Sequence, residues 1–326
     1  MTEANLFPHP PDPVAALARL GADIVTTPTI RSAALDRLVG TRVWLKLESL
    51  QHTGSYKYRG ALNAVRRVKE AGQHDGVLAQ STGNHGIAVA AAAQNAGLDA
   101  TIVLPEDVMA GKIAAIEGYG AKPVLAGHTL DDRYAALAEL KAGSESAVIE
   151  SFDNPDVLAG QGSASLELIG QVRDAGGELD ALVISVGGGS GLAGACLAAR
   201  ATGAELTAYG VEPVGCDSWA ESSKAGEPVT VKGRASIADG LRPTRVGDLP
   251  FAIASEAGAR SLVVEDDQIA LAMRDLMVHG KVLSEPSAAA GLAGVRQIAE
   301  EYDDIGVVVT GGNIDPAVLV SILATV

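Results

Sequence analysis

The stretch ALVISVGGGSGLAGACLAA (181–199) decides the fold class of this 326-residue chain. It begins as a short apolar run rich in β-branched residues, turns at four glycines within five positions, and continues as an Ala-rich segment. That order predicts a buried strand, a tight turn and a helix. Short apolar runs alternate with Ala- and Leu-rich stretches along the rest of the chain, which predicts parallel sheets with helices on both faces. The expected fold is therefore α/β, with two doubly wound lobes.

The same alternation gives the expected boundaries. Strands are predicted at 43–48, 77–81, 100–105, 122–127, 147–151, 181–186, 206–212, 261–265 and 305–310. Helices are predicted at 59–71, 86–96, 108–118, 130–141, 191–201, 267–279, 286–301 and 316–324. We expect 72–146 to form a small substrate-side domain, and 1–71 with 147–326 to form a larger, discontinuous cofactor-binding domain. The stretch 213–260 is expected to be an irregular connection.

Composition restricts the class of partner. The chain has 40 acidic and 25 basic residues, so its formal net charge is −15. A field of that sign repels nucleic acid and anionic membranes, although a local cluster of N–H donors can still bind a small anion. The two cysteines, Cys196 and Cys216, indicate neither a disulfide framework nor a zinc site. The N-terminal residues lack the pattern of a signal peptide, so we expect a cytoplasmic protein.

The glycine-rich turn is the first candidate ligand site. Glycines let successive backbone N–H groups point inward, and the following helix adds the positive end of its dipole. The loop that we expect to bind a phosphate consists of Gly187, Gly188, Gly189, Ser190 and Gly191. A plain tight turn is the alternative. The spacing matches neither a Walker loop nor a dinucleotide fingerprint, although Glu212 lies near the distance of the acidic residue in the latter.

Two further strand-to-helix junctions carry polar groups. In VLAQSTGNHGIAVAAAA (77–93) the residues before the helix offer donors for a substrate carboxylate, and simple helix capping is the alternative. In IGVVVTGGNIDPAVL (305–319) Thr310 ends a strand ahead of two glycines. Ligands of doubly wound sheets collect at the carboxyl ends of strands, where all three junctions lie.

Lys57 is the candidate nucleophile. It stands in LESLQHTGSYKYRGALNA (47–64), between Tyr56 and Tyr58. A loop lysine alone is usually a solvated charge. Next to a phosphate site it becomes a candidate for a Schiff base, because a desolvated amine has a lowered pKa and is nucleophilic.

The order and spacing of six motifs resemble the threonine/serine dehydratase and serine racemase family. These motifs are GSYKYRGALNA, STGNHGIAVA, GGGSGLAGA, SIADGL, SEPSAAAG and VVVTGGNID, and the resemblance runs from Pro28 to Leu319. It implies a pyridoxal 5′-phosphate (PLP) enzyme of the tryptophan-synthase-β type, fold type II.

The resemblance also implies roles for individual residues. Lys57 would hold PLP and shuttle the α-proton, and Thr82 is a second candidate acid–base group. The residues that would bind the cofactor are Lys57, Tyr56 (usually Phe in the family), Asn84, Gly187, Gly188, Gly189, Ser190, Gly191 and Thr310 (usually Ser). The residues that would bind the substrate are Ser81, Thr82, Asn84, His85 and Gly240.

The expected reaction is β-elimination from a small L-β-hydroxy amino acid such as threonine or serine, giving a 2-keto acid and ammonia. An amino acid racemase is the alternative within the family, and a non-catalytic protein that binds a phosphate ligand is the alternative outside it. Glu285 would either approach the cofactor ring or only start a helix. The racemase branch places a metal near a Glu and a second acidic residue six positions on. Here Glu212 is present but Ser218 replaces the second carboxylate, so no firm metal site is expected. The resemblance also implies a homodimer.

Overall fold

The computed structural model describes residues 10–81 and 83–326. In this part of the chain the strands are β1 Thr29–Ile30, β2 Arg42–Leu47, β3 Gly76–Gln80, β4 Asp99–Leu104, β5 Lys122–Leu125, β6 Ala147–Val148, β7 Ala181–Ser185, β8 Thr207–Pro213, β9 Arg260–Val264 and β10 Asp304–Val309. The α-helices are α1 Pro13–Leu20, α2 Ala33–Val39, α3 Lys57–Ala71, α4 Asn84–Ala96, α5 Ala110–Gly118, α6 Leu130–Ala142, α7 Pro155–Asp174, α8 Ser190–Thr202, α9 Ser218–Ala225, α10 Asp248–Glu256, α11 Asp266–Asp275, α12 Pro286–Val295 and α13 Pro316–Leu323.

The strands form two sheets. A six-stranded sheet has the order β1-β2-β10-β7-β8-β9, and a four-stranded sheet has the order β5-β4-β3-β6. All pairs are parallel except β1 with β2. Strands β3, β7 and β10 are buried along their whole length, as expected for parallel strands with both faces covered. The predicted α/β class with parallel sheets is confirmed.

Small residues bring the helices into close contact. A Cβ on Gly160 of α7 would lie 2.6 Å from the Cα of Gly60 in α3. A Cβ on Gly194 of α8 would lie 2.7 Å from the backbone nitrogen of Gly162 in α7. Helix α7 therefore packs backbone to backbone against both neighbours, which explains how a chain with only 3% aromatic residues builds a dense core.

The prediction of an irregular connection at 213–260 is wrong, because this stretch contains the helices α9 and α10. The local sequence shows little sign of either helix, since their first N–H groups are capped from elsewhere in the chain. Glu212 accepts the N–H of Trp219 at 2.7 Å and of Ala220 at 3.0 Å in α9. Asp153 accepts two N–H groups at the start of α10 in the same way.

Helix α7, at 20 residues, also lies outside the predicted set. Its interior, GQGSAS (160–165), has the composition of a loop. Tertiary packing of those small side chains overrides their low helix propensity. The predicted helix at 286–301 is too long, since α12 ends at Val295.

The strands of the four-stranded sheet run from Gly76 to Val148, so the last of them starts just beyond the expected domain limit at 146. The division into two domains stays a prediction. Within the described residues, no helix combines the length and the apolar character needed to cross a bilayer. Both cysteines are free and buried, and burial raises the pKa of the Cys196 thiol to about 12, so this thiol is unreactive.

Candidate active site

The loop that carries Lys57 is fixed to the end of β10. Ser55 pairs with Gly311 in an antiparallel bridge, and the Tyr56 N–H donates to the Thr310 carbonyl at 2.9 Å. The Gly312 N–H in turn donates to the Gly54 carbonyl at 3.0 Å. These contacts place Lys57, the first residue of α3, at the carboxyl edge of the large sheet.

A buried ion network holds α3 in place behind this loop. The Arg59 guanidinium donates to Glu48 at 2.8 and 2.9 Å and to Glu167 at 2.8 and 2.7 Å. Lys46, which lies in strand β2, donates to Glu167 at 2.6 Å. Arg59, Lys46 and Glu48 are fully buried, so the two cations and two carboxylates neutralise one another out of water. The network fixes the helix two residues after Lys57.

The Lys57 side chain is half-buried, and its amine lies near a backbone carbonyl of the segment after β6 and near the Tyr56 ring. Its Nζ lies 3.4 Å from the Ser151 carbonyl oxygen and 5.3 Å from the centre of the Tyr56 ring. Burial, together with the charge of Lys57, lowers the pKa of His85 to about 4. The neutral His85 ring bonds the Ile149 carbonyl through Nε2 at 2.9 Å. A role of His85 in carboxylate binding stays a prediction. Because the ring bonds Ile149, that role would use the backbone N–H of His85 in the first turn of α4.

Asn84 links the ends of strands from the two sheets. Its Nδ2 donates to Oε1 of Glu285 at 2.7 Å, and its Oδ1 accepts from Nδ2 of Asn313 at 2.8 Å. Asn313 also donates to the Thr53 carbonyl at 2.8 Å. Burial raises the pKa of Glu285 to about 7, and the bond from Asn84 works against that shift. Glu285 thus bonds Asn84 as well as preceding α12, and its approach to the cofactor ring stays a prediction.

Just after β3, the Ser81 hydroxyl accepts the Gly83 N–H at 3.0 Å. Thr82, with its predicted catalytic and substrate-binding roles, lies outside the described residues. A Cβ on Gly83 would be 3.1 Å from Nζ of Lys112 in α5. Lys112 also pairs with Asp239 at 3.3 Å, next to Gly240. Sequence reasoning missed Lys112, because a lysine in a helix after a loop has the appearance of a surface charge.

Arg133 was missed for a similar reason. It lies in the first turn of α6 and is 7% exposed, and its Nε donates to Oε1 of Gln80, the last residue of β3, at 3.3 Å. No carboxylate forms an ion pair with Arg133 within residues 10–81 and 83–326. Burial lowers the pKa of this guanidinium, and the nearby charge of Asp107 opposes the shift. A buried cation without a carboxylate partner is costly, and a ligand carboxylate would offset that cost.

The glycine loop lies tightly against its surroundings. A Cβ on Gly187 would be 2.8 Å from the Gly240 carbonyl oxygen, and one on Gly188 would overlap the Phe152 ring. Gly189 has a φ of +94°, which disfavours any side chain. The first intrahelical bond of α8 runs from the Ala193 N–H to the Gly189 carbonyl, so the N–H groups before it remain for a ligand.

Several hydroxyl groups around these loops are buried without a hydrogen-bond partner among the described residues. They belong to Ser55, Ser185 and Ser284. Thr310 follows β10 directly and is 5% exposed. Gly240 closes the cluster, and its N–H donates to Ser287 at 2.9 Å. Anion donors, an amine and unpaired hydroxyls at one sheet edge fit a ligand with a phosphate, a carbonyl carbon and a polar ring, which PLP provides.

A metal centre finds little support at Glu212. Both of its oxygens accept backbone N–H groups of α9, and Ser218 lies 3.4 Å from Oε1. Across the described residues, no group of three His, Cys, Asp or Glu side chains is placed to hold a metal ion. A bound cation stays a prediction.

Known proteins resemble this chain in sequence and in fold. Residues 21–311 match the family described as pyridoxal-phosphate dependent enzyme. An L-threo-3-hydroxyaspartate ammonia-lyase from Pseudomonas sp is 39% identical over 306 residues, covering 93% of this chain and 95% of the relative. The crystal structure of a T.th. threonine deaminase is 36% identical, with a TM-score of 0.88 and coverage of 93% of this chain and 98% of that chain.

Serine racemase from Dictyostelium discoideum is also similar in structure. It is 35% identical, with a TM-score of 0.87 and coverage of 93% of this chain and 98% of that chain. The resemblance inferred from the six motifs is thus confirmed by sequence and by fold. The chain belongs to the family of pyridoxal-phosphate dependent enzymes.

Proposed function

We propose that this protein removes water from a small L-β-hydroxy amino acid and releases a 2-keto acid and ammonia. The observation that carries the proposal is the position of Lys57 and the glycine loop 187–191 at the carboxyl edge of the large sheet, with Asn84 of the small sheet bonded to Asn313 beyond that edge. Relatives named ammonia-lyase and deaminase support this reaction.

Different residues of the site would have different roles in the reaction. Bound PLP would supply an electron sink for charge developing at the substrate α-carbon. The Lys57 amine would hold the cofactor and move the α-proton, since it is the amine at the loop junction. The Ser81–Asn84 loop would orient the substrate carboxylate at the start of α4. The buried setting of Glu285 and Thr310 would exclude water from the reacting atoms.

Arg133 favours a substrate with a second carboxylate. Its guanidinium lies beside the end of β3, one residue before Ser81, and has no ion pair in the part of the chain that the structure describes. A relative named L-threo-3-hydroxyaspartate ammonia-lyase supports the same preference. We therefore propose hydroxyaspartate as the preferred substrate over threonine and serine.

A substrate panel tests the reaction. L-threo-3-hydroxyaspartate, L-threonine and L-serine are supplied to the purified protein, and keto acid, ammonia and both enantiomers are followed. We expect keto acid to form fastest from hydroxyaspartate, and we expect Lys57→Ala to abolish it. A D-isomer that forms faster than keto acid would replace the proposal with racemisation, which the similarity to serine racemase would support.

Arg133→Leu tests the preference. Loss of one charge-assisted pair should lower kcat/KM for hydroxyaspartate by about tenfold or more, because such bonds contribute about 1.5–3 kcal/mol. The value for L-serine should change little. An equal loss for both substrates would show that Arg133 supports the fold and does not select the substrate.

We also propose a cytoplasmic homodimer. The family resemblance supports a dimer, and the acidic net charge of −15 disfavours anionic membrane surfaces. Light scattering on a size-exclusion column measures the mass directly and would contradict the dimer if it gave about 33 kDa, the mass of one chain.

A further inference from the structure

The Tyr56 hydroxyl is a polar group for which the site as described has no task. The side chain is 8% exposed, and its ring lies 5.3 Å from the Lys57 amine. A Cβ placed on Gly191 would be 3.2 Å from the Tyr56 hydroxyl oxygen and 3.3 Å from its Cε2. The phenol therefore reaches from the Lys57 loop to the first turn of α8.

No hydrogen bond is formed by this hydroxyl within the described residues. The hydroxyl oxygen is not among the fully enclosed unpaired atoms, so it opens onto space in which a ligand group could complete its hydrogen bonding. The first N–H groups of α8, a helix of 13 residues, also have no intrahelical acceptor. A phenol donor and several N–H donors thus converge without an acceptor between them, and an anion satisfies both sets.

We propose that the Tyr56 hydroxyl donates a hydrogen bond to the phosphate of the bound cofactor. It is then a side-chain donor added to the backbone cradle of the glycine loop. The resemblance implies only that Tyr56 binds the cofactor, and this proposal names the atom that it contacts. The inference concerns the cofactor and holds whichever β-hydroxy amino acid is the substrate.

The bond has two physical consequences. A donor to a phosphate forms a charge-assisted hydrogen bond, which strengthens binding of the phosphorylated cofactor. It also favours the dianion over the monoanion, because hydrogen bonding to the charged form lowers the pKa of the group.

Tyr56→Phe tests the proposal without changing the shape of the ring, and phenylalanine is the residue usual in the family at this position. The apo-protein is titrated with PLP and separately with pyridoxal, which lacks the phosphate, and the visible absorbance of bound cofactor is followed. Loss of a charge-assisted bond should weaken PLP binding about tenfold. Pyridoxal binding should not change.

Tyr58→Phe is the matched control. Tyr58 lies on the same helix and is 5% exposed, but its ring packs edge-on against His52 at 5.4 Å between centroids. This control should bind PLP as the wild type does. Phosphorus NMR of bound PLP across pH gives a second readout, and the phosphate pKa should be higher in Tyr56→Phe than in the wild type.

Two results would overturn the proposal. Unchanged PLP affinity in Tyr56→Phe would show that the hydroxyl does not reach the phosphate. An equal loss for PLP and pyridoxal would assign the phenol to the cofactor ring.

Discussion

Replacing Glu285 by Gln tests how the network between the two sheets titrates. Glu285 is buried, and burial together with the charge of Asp239 raises its pKa from 4.5 to about 7. The bond from Asn84, the charge of Lys112 and the Asn313 N–H oppose that shift. Glutamine keeps an oxygen that can accept from Asn84 and removes the titratable group.

The sign of the effect follows from proton linkage. A carboxyl group with a raised folded-state pKa holds its proton longer in the folded state. Its stabilising contribution is complete below pH 4.5 and is lost as pH rises through about 7. Each pKa unit corresponds to about 1.4 kcal/mol, so the wild type should lose about 3 kcal/mol over this window. Glu285→Gln should lose none of it.

His85 acts in the opposite direction over nearly the same pH range. Its pKa is lowered from 6.5 to about 4, so its contribution is present above 6.5 and is lost as pH falls through 4. The two residues partly offset each other in the wild type. Because His85 is present in both proteins, its contribution cancels when the free energy of unfolding of the wild type is subtracted from that of the variant. The contribution of Glu285 remains.

Urea unfolding of the apo-protein, followed by circular dichroism across this pH range, measures the difference. The free energy of unfolding of Glu285→Gln minus that of the wild type should rise by about 3 kcal/mol between pH 4.5 and 7. Glu117→Gln, an exposed carboxylate of α5, is the control and should show no such rise. A difference that stays constant with pH would refute the reasoning.

Two further predictions concern the cradle and the ion network. Gly188→Ala should weaken PLP binding about tenfold or more, because its Cβ would overlap the Phe152 ring. The double variant Gly188→Ala with Phe152→Ala should recover part of the affinity. No recovery in a PLP titration would exclude this clash as the cause. Arg59→Met should lower the free energy of unfolding by about 3–5 kcal/mol, because it leaves two buried carboxylates with fewer partners. The exposed pair of Arg245 with Asp248 gives the comparison, and Arg245→Met should cost less than about 1 kcal/mol by urea unfolding; equal losses would contradict the account.

Much of the sheet structure could be predicted from the sequence, because parallel strands buried on both faces are continuous apolar runs. Each of the nine predicted strands overlaps an observed one. Strand β1 was missed, since two residues, Thr29 and Ile30, are too few to show a pattern. The helices α1, α2, α7, α9 and α10 were missed; packing stabilises α7, and caps from residues outside the helix stabilise α9 and α10.

The residues of the candidate site also fall into those that the sequence could predict and those that it could not. The loops before α4 and α8 could be proposed as ligand sites because the position of a ligand in such sheets follows from topology, whereas the role of Lys57 came from the family resemblance. Arg133 and Lys112 could not, because their significance lies in what surrounds them. The burial of Arg133 and its lack of an ion pair among the described residues depend on the tertiary structure. The reach of the Tyr56 hydroxyl to Gly191 is likewise a contact between distant segments.

The net charge of −15 and an anionic cofactor are compatible because the two act over different distances. Exposed charges are screened within about 8–10 Å at moderate salt, whereas a helix N-terminus acts on a group that touches its first turn. The site concentrates such short-range donors at the starts of α4 and α8 and adds the cations Lys57 and Lys112. An acidic net charge would therefore disfavour large polyanions and still allow a small anion to bind through short-range donors at the strand ends.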